Sequence, residues 1–291
     1  MMISELDVPG LGRPALLRLP EGPVRAGVVA LHPAAYGERD QVLFEHLAET
    51  LTPLGYAVAS YDRRAKVDGD DVPFEAQADD ALVAVDWLAG RLGVPVGLWG
   101  FSQGTWAAAV AAARTDRVAF LALLGCPGVT PAMQMRYYTD EALRRNGYDD
   151  EDRAELTALR SALEGLLRGD LGRERAEELL AEYNQRPWFQ HAYLPPEVPE
   201  DIPAWTDMDF DPAPGYAQVT CPVLLVYGAD EECVPIAPSV AAWRTSGNPR
   251  LDVVEIPGVG HWPGPGPEHT RENLSPDYTR AIVDWFAAPR W

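Results

Sequence analysis

The residue most able to start a reaction in this chain is a serine at the apex of Gly100-Phe101-Ser102-Gln103-Gly104. A run of strand formers, residues 94–99, leads into it, and the alanine-rich stretch 105–113 after it reads as a buried helix. A serine held between a strand and a helix in so tight a turn takes up a strained backbone, which lifts its hydroxyl clear of the sheet edge. Glycines two before and two after it make steric sense, because side chains there would collide with the neighbouring strand or helix. A serine hydroxyl is a poor nucleophile at neutral pH, so it needs a base, and the base needs an acid to orient it. Five histidines are available: His32, His46, His191, His261 and His269. His261 lies in Gly258-Val259-Gly260-His261-Trp262, where flanking glycines let a loop carry the ring inward, whereas His269 lies beyond a Pro/Gly run at 263–267. His46 is expected on a helix surface, His191 in a helical stretch, and His32 as a brace for its loop. For the acid, Asp230, Glu231 and Glu232 stand side by side, and Glu232 is expected to be a solvated charge.

The elements that must position these groups can be read from hydrophobic patterning. Residues 15–20 read as an edge strand ending at Pro20, and 26–32 as a strand covered on both faces because the run is continuously apolar. A loop at 33–40 leads to a helix with Leu43, Leu47 and Leu51 on one side. The strand 56–61 runs into Asp62-Arg63-Arg64, a segment expected to form structural ion pairs, and a polar loop at 66–73 precedes a helix over about 75–92. After the serine helix comes another apolar strand, 118–124. Strands alternating with helices imply right-handed crossovers and a mostly parallel sheet. From 129 to 216 no strand-like run occurs. Leu156, Leu159, Leu163 and Leu166 mark one helix face there, and Ala176, Leu179, Leu180 and Tyr183 mark another. The α/β pattern resumes at 222–228, continues through a helix near 239–243 and a strand at 251–256, and ends in a helix with Ser275 as N-cap and Pro276 at its first position. The domain reading is therefore a core of residues 1–128 and 217–291 interrupted by a helical cap at 129–216.

Three segments together resemble the α/β-hydrolase superfamily along nearly the whole chain outside the cap: 100–104, 225–235 and 258–261. The resemblance implies the α/β-hydrolase fold, with serine, acid and histidine in that chain order and the histidine in the loop after the last strand, which favours His261 as base over His269, its rival downstream. It also implies a triad acid in a Gly-x-x-Asp-x-x-Val-Pro loop. Three residues on from Gly228 and four back from Pro235 both give Glu231, so glutamate stands where the family has aspartate, with Asp230 as the alternative acid. The oxyanion donors implied are the amides of Gln103 and, from the loop after His32, of Ala34. Family members usually read His-Gly where this chain has His32-Pro33, and proline lacks an N–H. Specificity is expected from the cap, with Tyr137, Tyr138, Trp188, Phe189 and Trp205 as candidates to line an acyl or alcohol pocket.

The implied activity is hydrolysis of a carboxylic ester or related acyl bond through an acyl-enzyme. A thioesterase, a small-peptide peptidase and a carbon–carbon bond hydrolase would use the same machinery, and a non-catalytic binding protein on the same fold is the reading from another class. No metal or organic cofactor is implied. The net charge of −20 disfavours nucleic acid, anionic membranes and polyanionic substrates, leaving a small acyl molecule as the expected ligand. Cys126, Cys221 and Cys233 are odd in number and scattered, and no signal-peptide pattern is visible, so a cytoplasmic setting is expected. The oligomeric state, monomer or homodimer, is open.

Overall fold

The computed structural model describes residues 1–35, 37–66, 72–202, 204–288 and 291 of the 291-residue chain. Tyr36 and most of the expected loop at 66–73 (residues 67–71) therefore lie outside the described residues. The core elements are β1 (Met2–Asp7), β2 (Pro14–Leu19), β3 (Ala26–Leu31), α1 (Val42–Leu51), β4 (Tyr56–Tyr61), α2 (Phe74–Leu92), β5 (Val96–Phe101), α3 (Gln103–Ala113) and β6 (Val118–Leu124). After a helical insertion come β7 (Val223–Gly228), a helix at Ile236–Thr245, β8 (Leu251–Ile256) and a last helix at Pro276–Ala287.

Among the described residues these strands form one eight-stranded sheet in the order β1-β2-β4-β3-β5-β6-β7-β8, antiparallel at β1–β2 and β2–β4 and parallel elsewhere. Its central strands are buried on both faces. Val29 and Leu31 of β3 and Leu98 of β5 pack with α2 and α3, whereas Val28 and Ala30 and then Trp99 pack with α1 and the last helix. The period of two sends alternate residues to opposite cores, so neither side of the strand can be polar. Residues 14–19 turn out not to be the edge, because β1 pairs outside them. Its Met2 and Ile3 are more than half exposed, so no buried stripe marks β1 as a strand.

The insertion consists of α4 (Pro131–Arg145), α5 (Asp150–Arg168), α6 (Arg173–Tyr183), a 3-10 turn at Pro187–His191 and the short α7 (Ala213–Tyr216); in chain order the helices after β7 and β8 are α8 and α9. Thr130 caps α4 and Asp149 caps α5 with side-chain oxygens on backbone N–H groups, and Gly169 ends α5 in the left-handed conformation. Leu143, Leu156, Leu159, Leu163, Ala176, Leu180, Trp188 and Ala192 make a small core of the insertion's own. Its C-terminal end joins the main core: Tyr216 stacks on Trp243 with ring centroids 4.0 Å apart and donates to the Pro127 carbonyl at 2.5 Å.

Candidate active site

The turn at Ser102 is as strained as its spacing implies. Ser102 has φ 52° and ψ −119°, a region that residues with a side chain seldom occupy. A Cβ on Gly100 would lie 2.7 Å from the Gly104 carbonyl oxygen, and one on Gly104 would lie 2.7 Å from the carbonyl oxygens of both Leu31 and His32. The strand, the helix and the end of β3 thus converge in a space with room only for hydrogen. The Ser102 N–H donates to the Leu124 carbonyl at 2.9 Å, which ties the turn to the end of β6.

At the ends of the next strands lie the acid loop and the base loop. Glu231, 5% exposed, follows β7, and its two carboxylate oxygens lie 2.9 and 3.0 Å from Nδ1 of His261, in the loop after β8. A carboxylate only accepts, so this contact places the imidazole proton on Nδ1 and leaves Nε2 as the basic nitrogen. The backbone N–H groups of Cys233 and Val234 donate to Glu231 Oε1 at 2.8 and 3.1 Å and hold the carboxylate from behind. Asp230 is exposed.

His261 is seated beside the serine. Its ring lies 5.0 Å, centroid to centroid, from that of Phe101, and a Cβ on Gly125 would come within 2.8 Å of its Cε1. Phe101 precedes Ser102, and Gly125 follows the residue whose carbonyl holds the Ser102 amide. Burial pulls the imidazole pKa down, but the charge of Glu231, its hydrogen bond and the charge of Glu232 outweigh burial and raise it above the ordinary value. Glu232 is not the solvated charge expected of it. Its Oε2 accepts from the backbone N–H of His261 at 3.0 Å.

Gln103 opens α3, and Ala34 lies exposed in the loop after β3. One side chain joins them. Arg63 donates to the Pro33 carbonyl at 2.8 Å, the Ala34 carbonyl at 2.9 Å and Gln103 Oε1 at 2.9 Å. The segment also forms ion pairs, Asp62 with Arg39 at 2.8 Å and Arg64 with the buried Asp80 at 2.8 Å. Sequence reasoning missed the brace because its acceptors are carbonyls, which no residue type advertises. His32 is buried between Phe44 and Tyr61, and burial, followed by the Arg63 charge, lowers it to about 3. His46 is not a surface residue: it bonds Thr279 at 2.9 Å and stacks on Tyr278 between α1 and α9.

The aromatic residues of the insertion separate by position. The Tyr137 hydroxyl donates to the Glu231 carbonyl at 3.3 Å, and Tyr138 meets Tyr193 edge-on at 5.0 Å. Trp188 is wholly buried in the insertion's own core, with Phe189 packed against that core. Trp205 lines a cavity of about 250 Å³ whose walls come from residues 160–205 of the insertion. Among the described residues, Glu231, Cys233 and His261 are the group of three that brings metal-ligand atoms within 4.8 Å. Burial, then the charges of Glu231 and Glu232, pushes the Cys233 thiol up, and Nδ1 of His261 is already engaged by Glu231. Among the described residues, no helix is long and apolar enough to cross a membrane.

Several known proteins share this architecture. Est1E from Butyrivibrio proteoclasticus superposes with a TM-score of 0.56 at 19% identity, covering 98% of this chain and 97% of that one. A proline iminopeptidase of Mycobacterium smegmatis gives 0.57 at 17%, covering 97% of each chain. A cold-adapted esterase from an Arctic intertidal metagenomic library gives 0.54 at 17%, covering 98% and 92%. In sequence, an uncharacterized 31.7 kDa protein of the traX-finO intergenic region of Escherichia coli is 25% identical over 234 residues, 75% of this chain and 77% of that one. Residues 8–269, which run from just after β1 to beyond His261, match the alpha/beta hydrolase family, and the chain belongs to it.

Proposed function

We propose that the protein is a serine hydrolase that cleaves a small carboxylic ester or related acyl bond. The observation that carries this reading is the buried Glu231 carboxylate on Nδ1 of His261, whose ring lies against Phe101, the residue before a strained Ser102, and beside Gly125. Ser102 Oγ attacks the acyl carbon while Nε2 of His261 takes its proton, and Glu231 stabilises the imidazolium that forms. The negative oxygen of the tetrahedral intermediate is met by the amides of Gln103 and Ala34, with the positive end of α3 behind the first. Collapse expels the alcohol, which leaves with the proton from His261, and an acyl-enzyme remains on Ser102. Water, deprotonated by the same nitrogen, then releases the acid and restores the serine. These steps use no metal or organic cofactor. The helical insertion acts as a cap and sets specificity, with Tyr137 and Tyr138 nearest the acid loop. A cytoplasmic setting fits three free thiols.

Fluorophosphonate labelling followed by mass spectrometry tests the reading. The intact protein is expected to gain one covalent adduct on Ser102, and Ser102→Ala to gain none. Equal labelling of both, or no adduct on the intact protein, would sink it. p-Nitrophenyl esters of graded chain length, assayed beside a thioester and an aminoacyl amide, then identify the acyl bond preferred.

A further inference from the structure

One face of α4 grips the acid loop. Gln134, Tyr137, Glu141 and Arg145 are spaced i, i+3, i+7 and i+11, so they lie along a single stripe of the helix. The Gln134 side chain donates to the Cys233 carbonyl at 2.7 Å, Tyr137 to the Glu231 carbonyl at 3.3 Å and Arg145 to the Asp230 carbonyl at 2.6 Å. Glu141 holds Arg145 in place from one turn earlier, at 2.7 Å. Arg145 also lies 4.0 Å from Glu232, the carboxylate that accepts from the His261 backbone N–H. Three of the four peptide carbonyls from 230 to 233 are thus bonded to one helix of the insertion, and the amides of 233 and 234 in turn hold the Glu231 carboxylate.

We infer that Gln134, Tyr137 and Arg145 are positioning residues: α4 sets the height and tilt of Glu231 under His261, so the catalytic geometry is complete only while this part of the insertion stays docked. The inference rests on the hydrolase reading for its kinetic consequence but not for its structural one. Access for substrate must then come from a part of the insertion other than α4. A loop of this length without such anchors would exchange among backbone conformations, and a displacement of about 1 Å is enough to weaken a catalytic constellation.

The test compares the wild type with the double variant Gln134→Ala/Tyr137→Phe, which removes two of the bonds without altering charge. Arg153→Gln is the control, since Arg153 bonds Asp140 and Asp150 within the insertion. The substrate is p-nitrophenyl butyrate at 25 °C, and hydrogen exchange is read at the Cys233 and Val234 amides. The double variant should lose about tenfold in kcat with KM within about twofold, the scale of one or two hydrogen bonds' worth of positioning. The two amides should exchange faster than in either the wild type or Arg153→Gln. Unchanged exchange with kcat equal to the control's would overturn the inference. So would a rise in KM alone, which would make these side chains substrate contacts. If the wild type neither turns over esters nor takes a fluorophosphonate, the hydrolase reading fails, and the exchange measurement still decides whether α4 anchors the loop.

Discussion

At the scale of single residues, the imidazole of His261 governs how the site responds to pH. Burial alone would lower its pKa; the charge and hydrogen bond of Glu231, with the charge of Glu232, reverse that and raise it. A base must be neutral to act, so kcat/KM should climb with pH through a midpoint above the ordinary imidazole value of about 6.5. His32 and His46 cannot supply this step, because burial has drawn them down to about 3 and about 4. The stability linked to His261 runs the other way. Its folded-state pKa is raised, so its contribution is complete below about pH 6.5 and is lost as pH rises through the folded value. Glu231→Gln removes the two main raising influences and leaves burial opposed only by the charge of Glu232. Its midpoint should drop below the wild type's, and its turnover should fall about 10³- to 10⁴-fold, as expected when the orienting acid is lost. Asp230→Asn, altering an exposed side chain, should stay within about twofold of wild type. A pH–rate profile of each variant measures both quantities, and a larger loss in Asp230→Asn would reverse the assignment of the acid.

At the scale of elements, the elbow is a junction of three backbones, and this is where the sequence was most legible. The strand into Ser102, the helix out of it and the glycines on each side all follow from residue type, because sterics at a close approach leave no alternative. Counting from Gly228 and Pro235 leads to Glu231, and its carboxylate lies on Nδ1 of His261. What was not legible depended on partners without a side-chain signature. Arg63 binds carbonyls, Glu232 binds a backbone N–H, and the α4 stripe binds three carbonyls of a loop almost a hundred residues away. β1 escaped notice because an edge strand with an exposed Ile3 has no buried face to set a pattern. The junction itself makes a sharp prediction. In Gly104→Ala the new methyl would sit 2.7 Å from two carbonyl oxygens of β3 and its continuation, with no flexible side chain to move aside. The helix must shift away from the strand, at a cost of about 1–3 kcal/mol. The loop bearing Ala34 moves with it, so activity should fall as well. Gly90→Ala, on an exposed stretch of α2 with nothing within 4 Å, should instead gain up to about 1 kcal/mol from helix propensity. Urea titration of the two variants, with the ester assay alongside, checks the contrast.

At the scale of the whole molecule, the insertion is joined to the core at several places remote in sequence. Asp207, beyond its 3-10 turn, accepts the first N–H of α2 at 2.7 Å, Tyr216 is built into the main core, and α4 rests on the acid loop. On the proposed hydrolase reading, substrate reaches Ser102 beside an insertion tied to the core at these places, and it meets the field of the whole chain. With a formal charge of −20, that field repels anions at distances where individual contacts no longer matter. Ionic strength separates this long-range effect from recognition in the pocket, because the screening length shrinks from about 30 Å at 0.01 M salt to about 10 Å at 0.1 M. For an ester with a free carboxylate on its acyl chain, kcat/KM should rise several-fold between those salt concentrations. For a neutral ester of the same length it should stay nearly constant, and for a cationic choline-type ester it should fall. The neutral ester serves as the internal control, since any salt effect on folding or on the chemical step would appear there too. An anionic ester whose kcat/KM is flat or falls with salt would mean that local cations outweigh the net charge, and the preferred substrate would then be sought among carboxylated or phosphorylated acyl compounds.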